Sequence, residues 1–161
     1  MNKNDIKEFL ESIAIGFILA FLISLVIKPV KVVGASMENT LEDGQRLFVF
    51  RQAYLGEKNP QKDDIIVVDT DKFGENKKII KRVIAIEGQS LKIDGSDVYI
   101  DGKKIEEPYI KEPMNPEWDI NIEKIPEGQL FIMGDNRNNS GDSRTIGLVN
   151  EDDIYGKVIG Y

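Results

Sequence analysis

The sequence predicts a mainly β-stranded domain of about 130 residues, carried on one N-terminal transmembrane helix. Two observations lead to this fold class. The segment Phe9–Ile27 is a long apolar run, whereas the later apolar runs are short and of strand length. No stretch after residue 31 keeps a 3.6-residue apolar period over ten or more residues, so long amphipathic helices are not expected there.

The first element is the transmembrane helix. The run Phe9–Ile27 contains one charged residue, Glu11, and as a helix it would be about 28 Å long, close to the ~30 Å hydrocarbon core. Lys28 and Pro29 then supply a cation and a residue that stops helices. The predicted organisation is an N-terminal segment, an anchor helix and a β-rich domain, at residues 1–8, 9–28 and 29–161.

A cleavable signal peptide is the alternative interpretation of this run, since Val33-Gly34-Ala35 resembles a cleavage site. The run is longer than the apolar core of ordinary signal peptides, and two lysines and a proline separate it from that site. We therefore expect an uncleaved anchor. Its orientation stays open from charge, because the lysines that flank the two ends balance: Lys3 and Lys7 against Lys28 and Lys31.

The elements that follow are short strands. They are predicted at Val30–Val33, Leu47–Phe50, Ile65–Asp69, Ile79–Ile86, Leu91–Ile93, Val98–Ile100, Gln129–Met133 and Lys157–Tyr161. Asp94-Gly95 and Asp101-Gly102 are hairpin turn signals. Residues 90–128 form a reduced subdomain or loop region, in which Glu106–Pro126 holds four of the six prolines and is expected to be irregular. We interpret Trp118 as a packing residue.

Composition excludes several classes of function. Acidic residues outnumber basic ones by 28 to 21, a net charge of −7, which argues against a nucleic-acid partner. The chain has no cysteine and no histidine, so disulfides, thiolate catalysis, Ser-His-Asp triads and histidine-bound metals are all excluded. Carboxylate-only calcium or magnesium sites stay open, as does a lysine acting as a base.

Ser36 follows a predicted strand and two small residues, Gly34 and Ala35. In one interpretation it is a structural N-cap serine, with Glu38 in the first turn of a short helix. In the other it is a nucleophile at a tight turn, where the small residues let a substrate backbone approach closely. The local sequence leaves both open.

Lys81 lies in the predicted strand Ile79–Ile86, on the face that also carries Val83 and Ala85. It is either an edge-strand lysine whose amine stays in water or a buried amine. Burial disfavours the ammonium form and can lower a lysine pKa from ~10.4 toward 7. Such a shift costs about 4 kcal/mol, which a fold tolerates mainly where function requires it.

A third polar segment runs from Gly134 to Arg144. It could be a surface turn rich in asparagine and aspartate. A calcium loop is a second interpretation, but Arg137 occupies the place of the second EF-hand ligand, and no glutamate closes the loop. In a third, Asp142 and Arg144 form an ion pair that supports hydroxyl groups beside an amine.

Taken in this order, and after a membrane anchor, these segments resemble those of the bacterial type I signal peptidases, in particular the short forms of Gram-positive bacteria. The resemblance covers essentially the whole chain, and its last two segments are long and specific. The matching segments are Gly34-Ala35-Ser36-Met37 with Thr40-Leu41, then 63–68, 81–88 and 134–144. The resemblance implies a β-sheet or partial-barrel catalytic domain.

The resemblance also implies a Ser-Lys dyad, with Ser36 as nucleophile and Lys81 as general base. The backbone N–H of Ser36 would form part of the oxyanion hole. The supporting residues would be a hydroxyl that orients the lysine amine, an ion pair and a further carboxylate, at Ser140, Asp142 with Arg144, and Asp135. No metal or other cofactor is expected.

Two positions depart from the family pattern. Some members have a serine two residues before the nucleophile that contributes to the oxyanion hole, and here that residue is Gly34. The frequent proline after Ser-Met-x is Asn39. The second oxyanion donor is therefore not identified by the resemblance.

The implied substrates are signal peptides of secretory preproteins with small-x-small cleavage sites, bound as an added strand. Ser36 is nine residues beyond Ile27, so at most about 30 Å of extended chain separates it from the helix. The site is then close to the lipid bilayer. The resemblance further implies a cytoplasmic N-terminus, a catalytic domain outside the membrane and proximity to the export machinery. Candidate pocket residues are Val32, Val33, Gly34, Met37, Leu41, Ile79 and Ile80. For the six other than the glycine, which have apolar side chains, ordinary core packing is the alternative interpretation.

Two other functions are alternatives to this one. A self-cleaving repressor relative would share the Ser-Lys dyad, but it would need a DNA-binding domain where this chain has an apolar helix. A membrane-anchored β-domain that only binds peptides would not need both Ser36 and Lys81 at the matching positions.

Overall fold

The computed structural model describes residues 3–56, 58–74 and 77–161, and it confirms a mainly antiparallel β fold with one long N-terminal helix. The helices are α1 (Lys3–Val26) and α2 (Ser143–Ile146), and a 3-10 turn spans Glu151–Asp153. The strands are β1 (Ile27–Lys31), β2 (Arg46–Phe50), β3 (Ile65–Thr70), β4 (Lys77–Ala85), β5 (Leu91–Asp94), β6 (Asp97–Ile100), β7 (Lys103–Lys104), β8 (Asp119–Ile122), β9 (Gln129–Met133), β10 (Val149–Asn150) and β11 (Ile154–Ile159).

Helix α1 is long and apolar enough to cross a membrane, and the side chains of residues 5–25 are exposed. A helix that is apolar on all sides suits insertion in a membrane rather than one-sided packing on the domain, which accounts for this exposure. It begins at Lys3, earlier than the predicted start at residue 9, and it ends at Val26, two residues before the predicted end.

Strand β1 follows α1 without a linker. Ile27 and Lys28 were expected in the helix, but they pair with Phe50 and Val49 of β2, so their backbone groups bond to a neighbouring strand. Pro29 lies within β1, at the edge of the sheet, where a missing N–H donor is tolerated. The first strand is thus shifted toward the helix, and residues 32 and 33 extend beyond it.

The larger sheet has seven strands in the order β1-β2-β11-β3-β4-β9-β10. Strand β4 lies inside it, between β3 and β9, with Lys81 opposite Ile66 of β3. The register between β4 and β9 shifts between Val83 and Ala85. The central position of β4 buries Lys81 and excludes the edge-strand interpretation of this lysine.

The smaller sheet has four strands in the order β7-β6-β5-β8. It corrects the prediction of an irregular loop at 106–126, because β8 lies within that range and pairs with β5. Only two apolar residues, Ile120 and Ile122, alternate in β8, and a proline-rich context surrounds them. Their burial comes from pairing with Ile93 and Leu91, which are distant in sequence.

Two of the hydrophobic clusters position the candidate site. One joins the small sheet to the ends of β4 and β9, and Trp118 packs against it as predicted. Another lies beneath the turn that carries Ser36, where Met37 and Leu41 pack with Leu47, Val49 and Val67. The turn and strand β4 are therefore both held on buried, close-packed supports.

Candidate active site

Ser36 lies in a series of turns after β1 and is half-buried. Residues 34–41 form turns rather than a helix, with backbone bonds from Glu38 to Ala35 and from Leu41 to Met37. The N-cap interpretation of Ser36 therefore lacks the helix that it requires. The carbonyl of Ser36 accepts a hydrogen bond from the backbone of Asn136 at 3.1 Å, which attaches this turn to the segment after β9.

Lys81 is 2 % exposed, and its amine is 2.7 Å from the hydroxyl oxygen of Ser36. The amine also contacts the carbonyl of Ile80 at 3.0 Å. Burial lowers the pKa of Lys81 to about 8, because desolvation disfavours the ammonium. Only the neutral amine can accept a proton, and with this pKa the neutral form predominates at moderately alkaline pH.

Charged groups around the dyad act on Lys81 in both directions. Asp142 and Asp135 raise its pKa by favouring the ammonium, whereas Arg144 and Lys77 lower it. Burial is the largest of these effects and outweighs the two aspartates, so the net shift is downward. Desolvation therefore makes the neutral form of Lys81 more populated than that of an exposed lysine at the same pH.

The Asp142 side chain is fully buried and connects three groups. It forms a two-pronged ion pair with Arg144, with both N–O distances 2.8 Å, as expected from the sequence. It also accepts hydrogen bonds from the Ser140 hydroxyl at 2.7 Å and from the backbone N–H of Gly134 at 3.0 Å. Ser140 was expected to orient the lysine amine, but here its hydroxyl donates to Asp142.

Gly134 lets Ser36 and Ser140 approach each other. A Cβ atom at this position would lie 2.3 Å from the Ser140 hydroxyl oxygen and 2.4 Å from the Ser36 carbonyl oxygen. Both distances are too short for any side chain, because the Ser36 oxygen belongs to the backbone and the Ser140 Cβ would also lie only 2.7 Å away. A glycine here is therefore a steric requirement of the site.

Asp135 supports the site from the other side of the Lys81-Arg82 pair. It is fully buried and forms a two-pronged ion pair with Arg82, at 2.9 and 2.6 Å. It also accepts a hydrogen bond from the hydroxyl of Thr40, which lies on the Ser36 turn. The expectation that Asp135 is a structural support agrees with these contacts.

Several residues that hold the site were not identified from the sequence. Glu107 forms a buried, two-pronged ion pair with Arg137 at 2.8 and 2.5 Å, and Arg137 also donates to the Gly134 carbonyl at 3.1 Å. The Tyr109 ring lies 4.0 Å from the Arg82 guanidinium carbon. Asn39, the departure from the family pattern, donates its amide to the Tyr109 carbonyl at 3.1 Å.

We call residues 107–111 the clasp. Its last residue, Lys111, bonds through its backbone to Asp135 and through its amine to Glu38, at 3.0 and 2.6 Å. The clasp thus connects the Ser36 turn to the polar segment after β9. It lies in the predicted irregular loop, where nothing local indicates partners 24 to 73 residues away.

The backbone N–H groups around Ser36 differ in whether they already have an acceptor. The N–H of Ser36 makes no hydrogen bond within the described residues. The N–H of Gly34 is bound by the Asp43 carboxylate at 2.8 Å, so it is not free to act as a second donor. Gly34 has a φ of 89°, a conformation that favours glycine.

An open groove runs from the dyad between the end of β1 and strand β4. Among its lining residues are five of the predicted pocket residues: Val32, Val33, Met37, Ile79 and Ile80. Gly34 does not line this groove, and neither does Leu41, which is fully buried in the core beneath the turn. Leu41 is therefore a core packing residue rather than a residue that contacts the groove.

Comparison with known proteins places this geometry in a family. The family described as Signal peptidase, peptidase S26 matches residues 6–160. Signal peptidase I of Bacillus licheniformis is 36% identical over 165 residues, covering 96% of this chain and 87% of that protein. Probable signal peptidase I-1 of Synechocystis is 37% identical, covering 96% and 81%.

A solved structure supports the same assignment. The crystal structure of a signal peptidase I from Enterococcus faecalis superimposes with a TM-score of 0.53 at 27% identity, covering 63% of this chain and 98% of that one. Sequence, fold and the matched length of the chain therefore agree, and the chain belongs to the S26 family of signal peptidases, serine endopeptidases that remove signal peptides.

Proposed function

We propose that the protein is a membrane-anchored signal peptidase in which Ser36 is the nucleophile and Lys81 the general base. The observation that carries this proposal is the 2.7 Å hydrogen bond between the Ser36 hydroxyl and a lysine amine that is 2 % exposed. The chain has no histidine, so a neighbouring amine is the base available to this hydroxyl. The proposed cleavage sites have the small-x-small pattern.

The proton moves twice in each half of the reaction. Neutral Lys81 accepts the Ser36 proton as the serine oxygen bonds to the scissile carbonyl carbon, and the ammonium then protonates the leaving amine. In the second half, Lys81 takes a proton from a water molecule as the water oxygen bonds to the acyl carbon. The ester bond to Ser36 then breaks, and Lys81 returns the proton to the serine oxygen. The backbone N–H of Ser36 stabilises the oxyanion in both tetrahedral intermediates.

The supporting residues hold the dyad rather than react. Asp142 fixes the Gly134 backbone and the Ser140 hydroxyl, and Arg144 balances its buried charge. Asp135 and Arg82 link the Ser36 turn to β4 through Thr40. This arrangement keeps the two reacting atoms at hydrogen-bond distance with little freedom to separate.

The groove fits the segment of substrate that precedes the scissile bond. An extended peptide laid between the end of β1 and β4 would complete an added strand, which is a common mode of peptide recognition. Val32, Met37 and Ile79 are buried residues at its wall and floor, so the adjacent pockets suit small side chains.

The membrane anchor is helix α1. Because β1 follows it directly, the Ser36 site is kept within about 30 Å of the bilayer surface by chain length alone. Substrates would be membrane-inserted signal peptides whose cleavage sites emerge there. The proposed orientation has a cytoplasmic N-terminus and an extracytoplasmic catalytic domain, close to the export machinery.

The test is cleavage of a preprotein with an Ala-x-Ala site by full-length variants in detergent. We expect Ser36→Ala and Lys81→Met each to lower turnover by about three orders of magnitude or more, with circular dichroism unchanged. The matched controls Ser96→Ala and Lys92→Met change exposed residues in the small sheet and should retain activity. Near-normal turnover by Lys81→Met would exclude Lys81 from the mechanism.

A further inference from the structure

The groove beside the dyad has a charge opposite to that of the whole chain. The protein has a net charge of −7, yet four lysines and no aspartate or glutamate are among the residues that line the groove. The lysines are Lys31 on the β1 side and Lys77, Lys78 and Lys81 on β4. An acidic protein thus presents a cationic surface where substrate would bind.

Two of these lysines already have a partner or a role. Lys78 is paired with Asp69, and its amine lies 4.4 Å from the centroid of the Tyr155 ring. Lys81 is bonded to the Ser36 hydroxyl. Lys77 and Lys31 are exposed, and neither forms an ion pair with any residue that the structure describes.

Lys77 is held on the groove side of its strand. Its amine lies 5.9 Å from the centroid of the Phe73 ring, and Phe73 itself lines the groove. Its charge also lowers the pKa of Lys81, as expected for a cation that lies near the dyad. An ammonium in this position would attract acidic side chains and repel basic side chains of a peptide lying along β4.

The position on the peptide follows from strand geometry. Lys77 precedes Lys81 by four residues, which is about 13 Å along a strand. If the peptide runs parallel to β4 and the residue that supplies the scissile carbonyl, position −1, lies beside Lys81, then position −5 lies beside Lys77. Side chains at −1, −3 and −5 share one face of an extended peptide, so the −5 side chain points the same way as the residues nearest the bond.

We propose that Lys77 is a specificity-determining residue that favours an acidic side chain at position −5 of the substrate and disfavours a basic one. Lys31 on the opposite wall adds a charge of the same sign. This inference rests on the proposed function, since it assumes that the segment before the scissile bond occupies the groove. Because Lys77 is exposed, the effect is that of a partly screened ion pair, about three-fold in kcat/KM.

The experiment compares three preproteins that differ only at position −5, with Glu, Gln or Lys, and uses the full-length enzyme in a nonionic detergent. Wild-type kcat/KM should fall in the order Glu, Gln, Lys, and Lys77→Glu should reverse that order. Lys77→Gln should nearly abolish the preference. The ratio of the Glu and Lys substrates is the readout, because it cancels any effect of the mutation on Lys81 or on folding.

The control is Lys103→Glu, which makes the same charge change at an exposed lysine of β7 outside the groove. It should leave the substrate ratio as in the wild type, and about 0.5 M salt should reduce that ratio toward one. A wild-type enzyme that cleaves all three substrates equally would overturn the charge preference alone. So would a Lys77→Glu variant that keeps the wild-type order. Cleavage of none of the three would overturn the proposed function as well.

Discussion

Lys81 is a buried amine whose protonation state decides whether it can act as a base. Its pKa is lowered to about 8 by burial, so at pH 7 only about one molecule in ten holds the neutral form. The neutral fraction increases as the pH rises through that value. Activity that depends on a neutral Lys81 must therefore increase with pH, in contrast to a site that needs an ammonium.

We expect kcat/KM for a preprotein to rise about ten-fold per pH unit below pH 8 and to level off above it, since this parameter reports the free enzyme. The measurement is initial rate against pH from 6 to 10, with folding monitored by circular dichroism. Lys77→Gln should move the midpoint to higher pH, because the Lys77 charge lowers the pKa of Lys81. A flat profile with chemistry rate-limiting would contradict a lysine base.

At the residue scale, composition and the family resemblance each predicted a different part of the site. The absence of histidine and cysteine left lysine as a candidate base, but the pairing of Ser36 with Lys81 came from the resemblance of whole segments. The two residues are 45 positions apart, and no local pattern connects them. The hydroxyl of Ser140, bonded to Asp142, shows that a matching residue type need not make the expected contact.

At the scale of elements, the clasp is joined to the segment after β9 by a buried ion pair. Arg137 and Glu107 have side chains 0% and 8% exposed, so each charge depends on the other for compensation. Arg137 also bonds to the Gly134 carbonyl, at the position where Ser36 and Ser140 meet. Loss of this pair would leave a buried guanidinium uncompensated beside the site.

We expect Glu107→Gln to lower the free energy of unfolding by about 3 kcal/mol. The substitution removes the carboxylate and leaves the Arg137 guanidinium buried without an opposite charge. The measurement is urea unfolding in detergent, followed by the fluorescence of Trp118. The control is Asp94→Asn, which breaks the exposed pair with Lys92 and should cost less than about 1 kcal/mol. Equal effects for the two variants would show that the Glu107–Arg137 pair is not buried in solution.

Element prediction succeeded where the signal is local. Strand β9 was predicted with its observed bounds, because four consecutive apolar residues, 130–133, are buried there. Strand β8 was missed because its burial depends on pairing with β5, and the clasp was missed because its partners are distant in sequence. The end of α1 was placed two residues late because β1 pairs with β2 as soon as the helix ends.

At the scale of the whole molecule, the direct joint between α1 and β1 restricts where the site can work. One backbone hydrogen bond, from Arg51 to the carbonyl of Val26, reinforces this joint. Because β1 pairs with β2 directly after α1, the fold sets the distance between the end of the helix and Ser36. A fixed distance of this kind would select cleavage sites close to the bilayer surface.

We therefore expect a 20-residue Gly/Ser linker inserted between Val26 and Ile27 to relax this selection, because such a linker adds a reach of about 25 Å. In vesicles, the variant should cleave preproteins whose site is moved about 20 Å further from the membrane, which the wild type cleaves poorly. Cleavage of a short soluble peptide should stay within about two-fold of wild type, since the groove and dyad are unchanged. The same linker added after Tyr161 is the control and should leave the wild-type selection intact. If the wild type already cleaves near and distant sites equally well, the joint between helix and sheet does not set the position of cleavage.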